Sequence, residues 1–246
     1  MQHSNPRFRD TLALTFASLY PLVMTLIYFV VLHNPTGEPN PFVMAAFAGG
    51  KILQFVFPIA YVLWFERESI RLTRPTWGGI PLAIGFALLV GISMYVLFFA
   101  WVQHIPAVGE KTPELVRERL VQFNATSTLG YLALAFYICV PHSLAEEYYW
   151  RWFVFGWMRR HVPMPAAIVL SSLGFMAHHV VILGVFFSDN FWTMAVPFSL
   201  GVAMGGGMWA WIYQRSGSLY APWVSHALID AAVMGLGYWM VRGYFG

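Results

Sequence analysis

The sequence predicts an all-α protein, a polytopic membrane helix bundle of about seven transmembrane helices. Two observations on composition carry this prediction. Hydrophobic residues make up 59% of the 246-residue chain and charged residues only 10%, whereas a soluble domain carries roughly 25% charged residues. Such a chain has too little polar surface to cover a water-soluble globule, so its excess apolar surface must face lipid.

A third observation is that the apolar residues fall into seven segments, each with the roughly 20 residues that a membrane-spanning helix needs. The segments are Thr11–His33, Phe42–Phe65, Ile80–Val102, Ser127–Met158, Pro165–Phe187, Phe191–Tyr213 and Leu219–Val241. The first is too long for the apolar core of a signal peptide, so we expect it to be retained. The fourth exceeds one simple span and contains Pro141, which predicts a kink or two shorter helices and makes eight spans the alternative.

Proline and glycine occur in the connections between these segments, at 34–41, 75–79 and 163–165, as expected for turns. No polar linker separates two domains, so we expect residues 1–246 to form a single membrane domain. The net charge is +3, but no basic cluster or RNA-binding motif accompanies it, and we expect no nucleic-acid partner.

Loop charges predict how the chain lies in the membrane. With the N-terminus in the cytoplasm, four cationic residues face the opposite side, namely Lys111, Arg117, Arg119 and Arg242. Eight arginines then face the cytoplasm, namely Arg7, Arg9, Arg67, Arg71, Arg74, Arg159, Arg160 and Arg215. Cationic loops favour the cytoplasm, so we expect a multi-pass protein of a cell or inner membrane with a cytoplasmic N-terminus.

Two further patterns concern the membrane surface and helix packing. Residues 103–124 are the only extended polar stretch, and their helical amphipathic period predicts an interfacial helix, with a lid or substrate gate as the alternative. In the sixth segment, Gly201 and Gly205 have the small-xxx-small spacing that is typical of closely packed membrane helices.

Ionisable residues within the apolar segments point to function, because each costs at least about 2.5 kcal/mol on insertion scales. They are concentrated late in the chain. The fourth segment holds His142, Glu146, Glu147 and Arg151, the fifth His178 and His179, the seventh His226 and Asp230, and the second only Lys51.

Glu146 and Glu147 differ in their relation to Arg151. On a helix, Glu147 and Arg151 are four residues apart with the acid first, the favourable spacing for an ion pair on one face. Glu146 is about 100° further round. Arg151 can therefore neutralise Glu147 and leave Glu146 with a free carboxylate. A structural ion pair needs only one acid, so the presence of a second acid indicates a catalytic role.

Two other helices supply histidines. His226 and Asp230 repeat the four-residue spacing, so Asp230 can accept a hydrogen bond from one nitrogen of His226 and leave the other free to act. His179 follows Phe175 at the spacing FxxxH. His178 and His179 point about 100° apart on a helix, so at most one of them faces a given cavity well.

Three motifs in this order are similar to those of a known family. EExxxR at Glu146–Arg151, FxxxH at Phe175–His179 and HxxxD at His226–Asp230 resemble the CAAX protease and bacteriocin-processing (CPBP) family, which includes the Ras-converting CAAX endopeptidases. The resemblance covers roughly residues 127–240, the expected protease core. It implies a glutamate-dependent intramembrane endopeptidase with no bound metal or other cofactor. The implied substrate is a membrane-embedded or lipidated protein or peptide within the bilayer.

The resemblance also implies roles for the site residues. Glu146 would be the general base, His179 would help to activate water, and Glu147 with Arg151 would support the base. His226 and the residue at 230 would stabilise the oxyanion. CAAX endopeptidases typically carry Asn at that last position, and an ionised Asp230 cannot donate a hydrogen bond. We therefore expect Asp230 to orient His226, with His226 alone as the oxyanion donor.

Several alternatives remain open from the sequence. Glu146, His179 and His226 could form a zinc site with an open fourth position, although no HExxH motif is present. A serine protease would have to use the Ser216–Ser218 loop, which is typical of a turn, and an aspartyl protease needs a second membrane aspartate. Membrane Glu and His residues also build the proton relays of transporters, and a non-catalytic immunity-type protein could share the fold.

Overall fold

The structure is a computed structural model that describes residues 6–32, 40–66 and 76–245. It is 89% helical, with no strand among the described residues, which confirms the all-α membrane fold. Within these ranges, seven helices are long and apolar enough to cross a membrane. They are Arg7–Val31, Pro41–Glu66, Ile80–His104, Thr128–Met158, Met164–Phe186, Ser188–Ser216 and Tyr220–Tyr244.

The described residues form α-helices, with π-helical and 3₁₀ turns between them, and α4 and α5 lie between the third and the fourth span. The α-helices are α1 (Pro6–Leu26), α2 (Pro41–Tyr61), α3 (Ile80–Ala100), α4 (Pro106–Gly109), α5 (Lys111–Gln122), α6 (Thr128–Tyr137), α7 (Ser143–Glu147), α8 (Gly156–Met158), α9 (Met164–Phe186), α10 (Val196–Ser216) and α11 (Tyr220–Val241). The π-helical turns are Ile27–Val31, Val62–Glu66, Ile138–His142, Tyr148–Phe155 and Phe191–Ala195. The 3₁₀ turns are Val102–His104, Ser188–Asn190 and Arg242–Tyr244.

Local sequence explains where helices begin and end. The Asn40 side chain accepts hydrogen bonds from the N–H groups of Phe42 and Val43 at 3.0 and 3.3 Å, and Pro41 occupies the first turn of α2, where its missing N–H costs nothing. Helix α10 ends at Ser216, and the residue that caps it is Gly217. The φ of Gly217 is 66°, the left-handed conformation that glycine adopts without strain.

The fourth span is one continuous helix, so the predicted break into two helices is not observed. Pro141 has no N–H to donate to the preceding turn, and the chain passes it in the π-helical turn Ile138–His142. A second π-helical segment, Tyr148–Phe155, follows α7. Such widened turns are frequent at functional sites, and here they flank the short helix that carries Glu146 and Glu147.

Helices α9 and α10 pack closely against each other, but not at the predicted glycines. A Cβ added at Gly206 would lie 3.3 Å from Phe175 Cδ1 and 3.4 Å from the Ser172 side chain. A Cβ added at Gly201 would meet nothing within 4 Å. The close approach therefore occurs at Gly206, one residue after the predicted pair of Gly201 and Gly205, because Gly206 and not Gly201 lies on the side of α10 that faces α9.

The polar stretch after the third span is helical, as predicted. Its main element, α5, is fixed to the end of α9: the Thr112 hydroxyl donates to the Phe186 carbonyl at 3.3 Å, and Lys111 forms an ion pair with Asp189. These contacts suit a surface helix that joins two spans. The alternative role as a gate stays a prediction.

A buried polar cluster closes the end of the bundle where α1 begins. The Tyr61 hydroxyl donates to Asp10 Oδ1 at 2.5 Å, and His161 Nε2 lies 2.9 Å from Asp10 Oδ2, which ties α1 to α2 and to the segment after α8. The orientation prediction depends partly on Arg67, Arg71 and Arg74. These arginines and the predicted turn residues 34–39 lie outside the described residues, and the cytoplasmic N-terminus stays a prediction.

Candidate active site

The two adjacent acids of the fourth span lie at the centre of the bundle. Glu146 is 4% exposed and Glu147 is fully buried. Since neighbouring helical residues point about 100° apart, their carboxylates face different neighbours. The two acids therefore have different partners.

The carboxylate of Glu147 is held on both sides. Arg151 Nε lies 3.2 Å from Glu147 Oε2, the ion pair that the four-residue spacing predicts. His226 Nδ1 lies 2.7 Å from Glu147 Oε1, and since a carboxylate only accepts, this nitrogen donates. Glu147 is thus committed to an arginine on its own helix and a histidine of α11.

The carboxylate of Glu146 faces three imidazoles. His142 Nε2 lies 3.4 Å and His178 Nε2 3.8 Å from Glu146 Oε1, while His226 Nε2 lies 3.8 Å from Oε2. The two longer distances exceed hydrogen-bond length. Glu146 is therefore surrounded by nitrogen groups without being locked into a short ion pair, which leaves its oxygens able to accept a proton.

The sequence comparison predicts that His179, and not His178, acts beside Glu146, and the structure arranges this histidine pair of α9 differently. It is His178 whose nitrogen faces Glu146, with its ring stacked on Trp150 at an interplanar angle of 6° and a centroid distance of 5.9 Å. His179 Nδ1 donates to the Phe175 carbonyl at 3.0 Å, and its ring centroid lies 4.1 Å from that of His178. His179 thus borders the centre, one ring away from the carboxylate.

Asp230 does not hold His226 as expected. Asp230 Oδ2 lies 3.7 Å from His226 Nε2, which is too far for a hydrogen bond. Glu147 occupies the orienting position at Nδ1 instead, because α7 packs against α11 at this level. The four-residue spacing brings Asp230 to the correct face, but the neighbouring helix supplies the closer acceptor.

Aromatic rings fix the histidine and the arginine. Trp209 stacks on the His226 ring with a centroid distance of 4.1 Å and an interplanar angle of 18°, and its Nε1 donates to Ser225 Oγ at 3.0 Å. The Arg151 guanidinium carbon lies 4.6 Å from the ring centroid of Phe175 and 4.9 Å from that of Trp209. The same rings therefore hold both partners of Glu147.

His142 belongs to the centre, although no role was predicted for it. It lies one turn before Glu146 on the same helical face, and this four-residue spacing was the available signal. Its ring is flanked by Phe55, at a centroid distance of 6.3 Å, and by Tyr137, at 6.0 Å. Only the packing of α2 and α6 reveals these two neighbours.

Within the described ranges, no group of three or more His, Cys, Asp or Glu residues is arranged to hold a metal ion. The alternative zinc site of Glu146, His179 and His226 therefore receives no support from the geometry. The expectation that the protein needs no metal stays a prediction, since only an experiment addresses it.

The fold and the centre define a class of protein: a polytopic membrane protein whose helices enclose a carboxylate–histidine site. Residues 128–232 match the family model described as "Type II CAAX prenyl endopeptidase Rce1-like", a range that contains all three motifs. This range, 105 of the 246 residues, is similar to the Rce1-like CAAX prenyl endopeptidases, in line with the resemblance to the CPBP family. No curated protein and no solved structure matches the chain.

The match over these residues supports CAAX-type intramembrane protease activity in general. With seven candidate spans, the chain is an integral membrane protein. A membrane-associated substrate is what such a protease family suggests.

Proposed function

We propose that this protein is an intramembrane endopeptidase in which Glu146 activates water to cut a peptide bond of a membrane-associated or lipid-modified substrate. One observation carries the proposal: of two adjacent buried acids, Glu147 is bound by Arg151 and His226, whereas Glu146 faces imidazole nitrogens at 3.4–3.8 Å. A buried carboxylate with uncommitted oxygens is suited to take a proton from water.

The reaction needs only one carrier of protons. The water oxygen bonds to the carbonyl carbon of the scissile peptide while one water proton passes to Glu146. When the C–N bond breaks, Glu146 returns this proton to the departing nitrogen, which leaves as an amine. His142 and His178 border the base, and His179, with Nδ1 donating to Phe175, has Nε2 available as an acceptor.

His226 is the proposed donor to the oxyanion. With Nδ1 donating to Glu147, an imidazolium at this position donates through Nε2, on the side of Glu146. A fixed donor that faces the developing negative oxygen is a strong source of rate enhancement. Asp230, 3.7 Å from the same nitrogen, adds a negative charge that stabilises the imidazolium.

The substitution Glu146→Gln tests the proposal. We expect it to lower kcat/KM by about 10²- to 10⁴-fold, the usual contribution of a general base. The assay uses the full chain in lipid nanodiscs and an internally quenched peptide. The peptide carries a farnesylated cysteine followed by three residues, which corresponds to the prenylated C-terminal CAAX motif. The matched control Glu114→Gln changes an exposed acid of α5 and should leave turnover unchanged.

Two results would contradict the proposal. Turnover by Glu146→Gln at the unmodified rate excludes Glu146 as the base. Loss of activity in a chelator, with recovery on addition of zinc alone, establishes the zinc alternative instead. For the natural substrate, membrane and secreted proteins are compared between cells that carry the unmodified protein and cells that carry Glu146→Gln, and the protein that stays unprocessed is identified.

A further inference from the structure

A cavity of about 540 Å³ lies beside the centre, between α2, the end of the first span, the residue that follows α5, and α6. Its volume falls in the range of roughly 300–1,000 Å³ that is typical of ligand pockets. Apolar and aromatic side chains form nearly all of its wall, and Lys51 is the only charged residue that lines it among the described residues. The cavity therefore suits an apolar ligand with one negative charge.

Lys51 forms no close ion pair within the part of the chain that the structure describes, although the Glu146 carboxylate acts on it electrostatically at longer range. Its ammonium lies 5.9 Å from the ring centroid of Phe47 and 5.8 Å from that of Phe55, and none of the ion pairs among described residues includes it. The chain has two lysines, and the other, Lys111, pairs with Asp189. Ring faces thus hold the Lys51 cation at the cavity wall.

The depth of Lys51 makes this arrangement costly. Lys51 lies ten residues after Pro41, the first residue of α2, which is about 15 Å along a helix and near the middle of a bilayer core of about 30 Å. A cation at that depth costs at least about 2.5 kcal/mol on insertion scales. A residue kept at such a cost is expected to act on a ligand.

The wall of the cavity adjoins the site of Glu146. Phe55 and Tyr137 line the cavity and also flank the His142 ring, at centroid distances of 6.3 and 6.0 Å. His142 Nε2 in turn lies 3.4 Å from Glu146 Oε1. Two side chains of the cavity wall therefore contact the imidazole that borders the proposed base.

We propose that Lys51 is a specificity-determining residue that binds the free C-terminal carboxylate of the peptide being cut. The residues that follow the scissile bond then occupy the apolar cavity that Lys51 lines. This inference rests on the proposed endopeptidase function. A lipid phosphate is the weaker fit, because headgroups lie at the membrane surface and Lys51 lies near the midplane, at the level a bound peptide must reach.

The test compares two forms of one probe. The farnesylated quenched peptide is prepared as a free acid and as a C-terminal amide, and kcat/KM is measured for the full chain in phosphatidylcholine nanodiscs. A charge-assisted contact predicts that the acid is preferred by at least about tenfold. Lys51→Met, of similar shape but uncharged, should remove this preference, Lys51→Arg should keep part of it, and the matched control Lys111→Met should keep all of it.

Binding gives a readout that does not require turnover. In Glu146→Gln protein, the acid should bind more tightly than the amide when Lys51 is present, and the two should bind equally after Lys51→Met, as measured by native mass spectrometry. A preference that survives Lys51→Met, or equal or absent binding of both forms in the presence of Lys51, overturns the inference.

Two further results separate the possible failures. If phosphatidylglycerol nanodiscs abolish the acid preference in the unmodified protein, a lipid phosphate occupies the Lys51 site and the inference is wrong. If Glu146→Gln still cuts the probe, the proposed base is wrong, while the ratio of acid to amide still decides the role of Lys51.

Discussion

Replacement of Arg151 by methionine should destabilise the protein more than any exposed substitution. Arg151 is 2% exposed, and its Nε lies 3.2 Å from Glu147 Oε2. Methionine keeps the apolar contacts with the rings of Phe175 and Trp209 but removes the positive charge. Glu147, which is fully buried, then retains only His226 as its partner.

Two independent figures give the expected loss in the free energy of unfolding. At this 3.2 Å separation, the Coulomb attraction is about 5 kcal/mol with an effective dielectric constant of about 20. Loss of one partner of a buried ion pair is typically destabilising by about 3–5 kcal/mol. We therefore expect Arg151→Met to lower the free energy of unfolding by about 3–5 kcal/mol.

The double variant Arg151→Met/Glu147→Gln separates lost charge from lost packing. Glutamine keeps an acceptor for His226 Nδ1 and leaves no uncompensated anion, so the double variant should be more stable than Arg151→Met alone. The assay is unfolding by sodium dodecyl sulfate in mixed micelles, followed by circular dichroism, with Arg215→Met at the exposed end of α10 as the control. Strict additivity of the two single effects refutes the reasoning, because groups in contact should couple.

Two substitutions at or next to the rings of Phe175 and Trp209 give further tests. Trp209→Leu removes the ring stacked on His226, a contact worth about 0.5–1.5 kcal/mol. We therefore expect kcat to fall by about two- to tenfold with little change in KM. An unchanged kcat would contradict the orienting role of Trp209. Gly206→Leu places its Cβ only 3.3 Å from Phe175 Cδ1, and overpacking of about 1–3 kcal/mol should lower the melting temperature in detergent. Gly201→Leu, at a position with open space around its Cβ, is the matched control, and an equal effect of both variants would show that close packing is not the cause.

Features that depend on one helix were readable from the sequence. The pairing of Glu147 with Arg151 follows from a four-residue spacing, and so does the position of His142 one turn before Glu146, although that histidine received no role. The spans were located to within a few residues, because a membrane helix is recognised by its apolar length alone. The alternative of eight spans, with a break at Pro141, is not observed, since a π-helical turn absorbs the missing N–H without ending the helix.

Features that depend on the rotation of helices against one another were not readable. The sequence pattern does not distinguish the adjacent residues His178 and His179. In the packed structure His178 stacks on Trp150 and faces Glu146. In the same way, Asp230 has the expected spacing from His226, but the packing of α7 on α11 brings Glu147 to Nδ1 first. Each outcome was decided by a partner on a different helix.

The sequence by itself thus determined that the chain spans the membrane, where it does so, and which acid pairs with Arg151. The tertiary structure decided which histidines surround Glu146 and which cavity Lys51 lines. The physical reason is the solvent: lipid is as apolar as the packed interior, so the apolar pattern of a membrane helix does not specify which of its faces points inward. In this protein, that choice is made by packing between distant residues, such as Gly206 against Phe175 and Trp209 against His226.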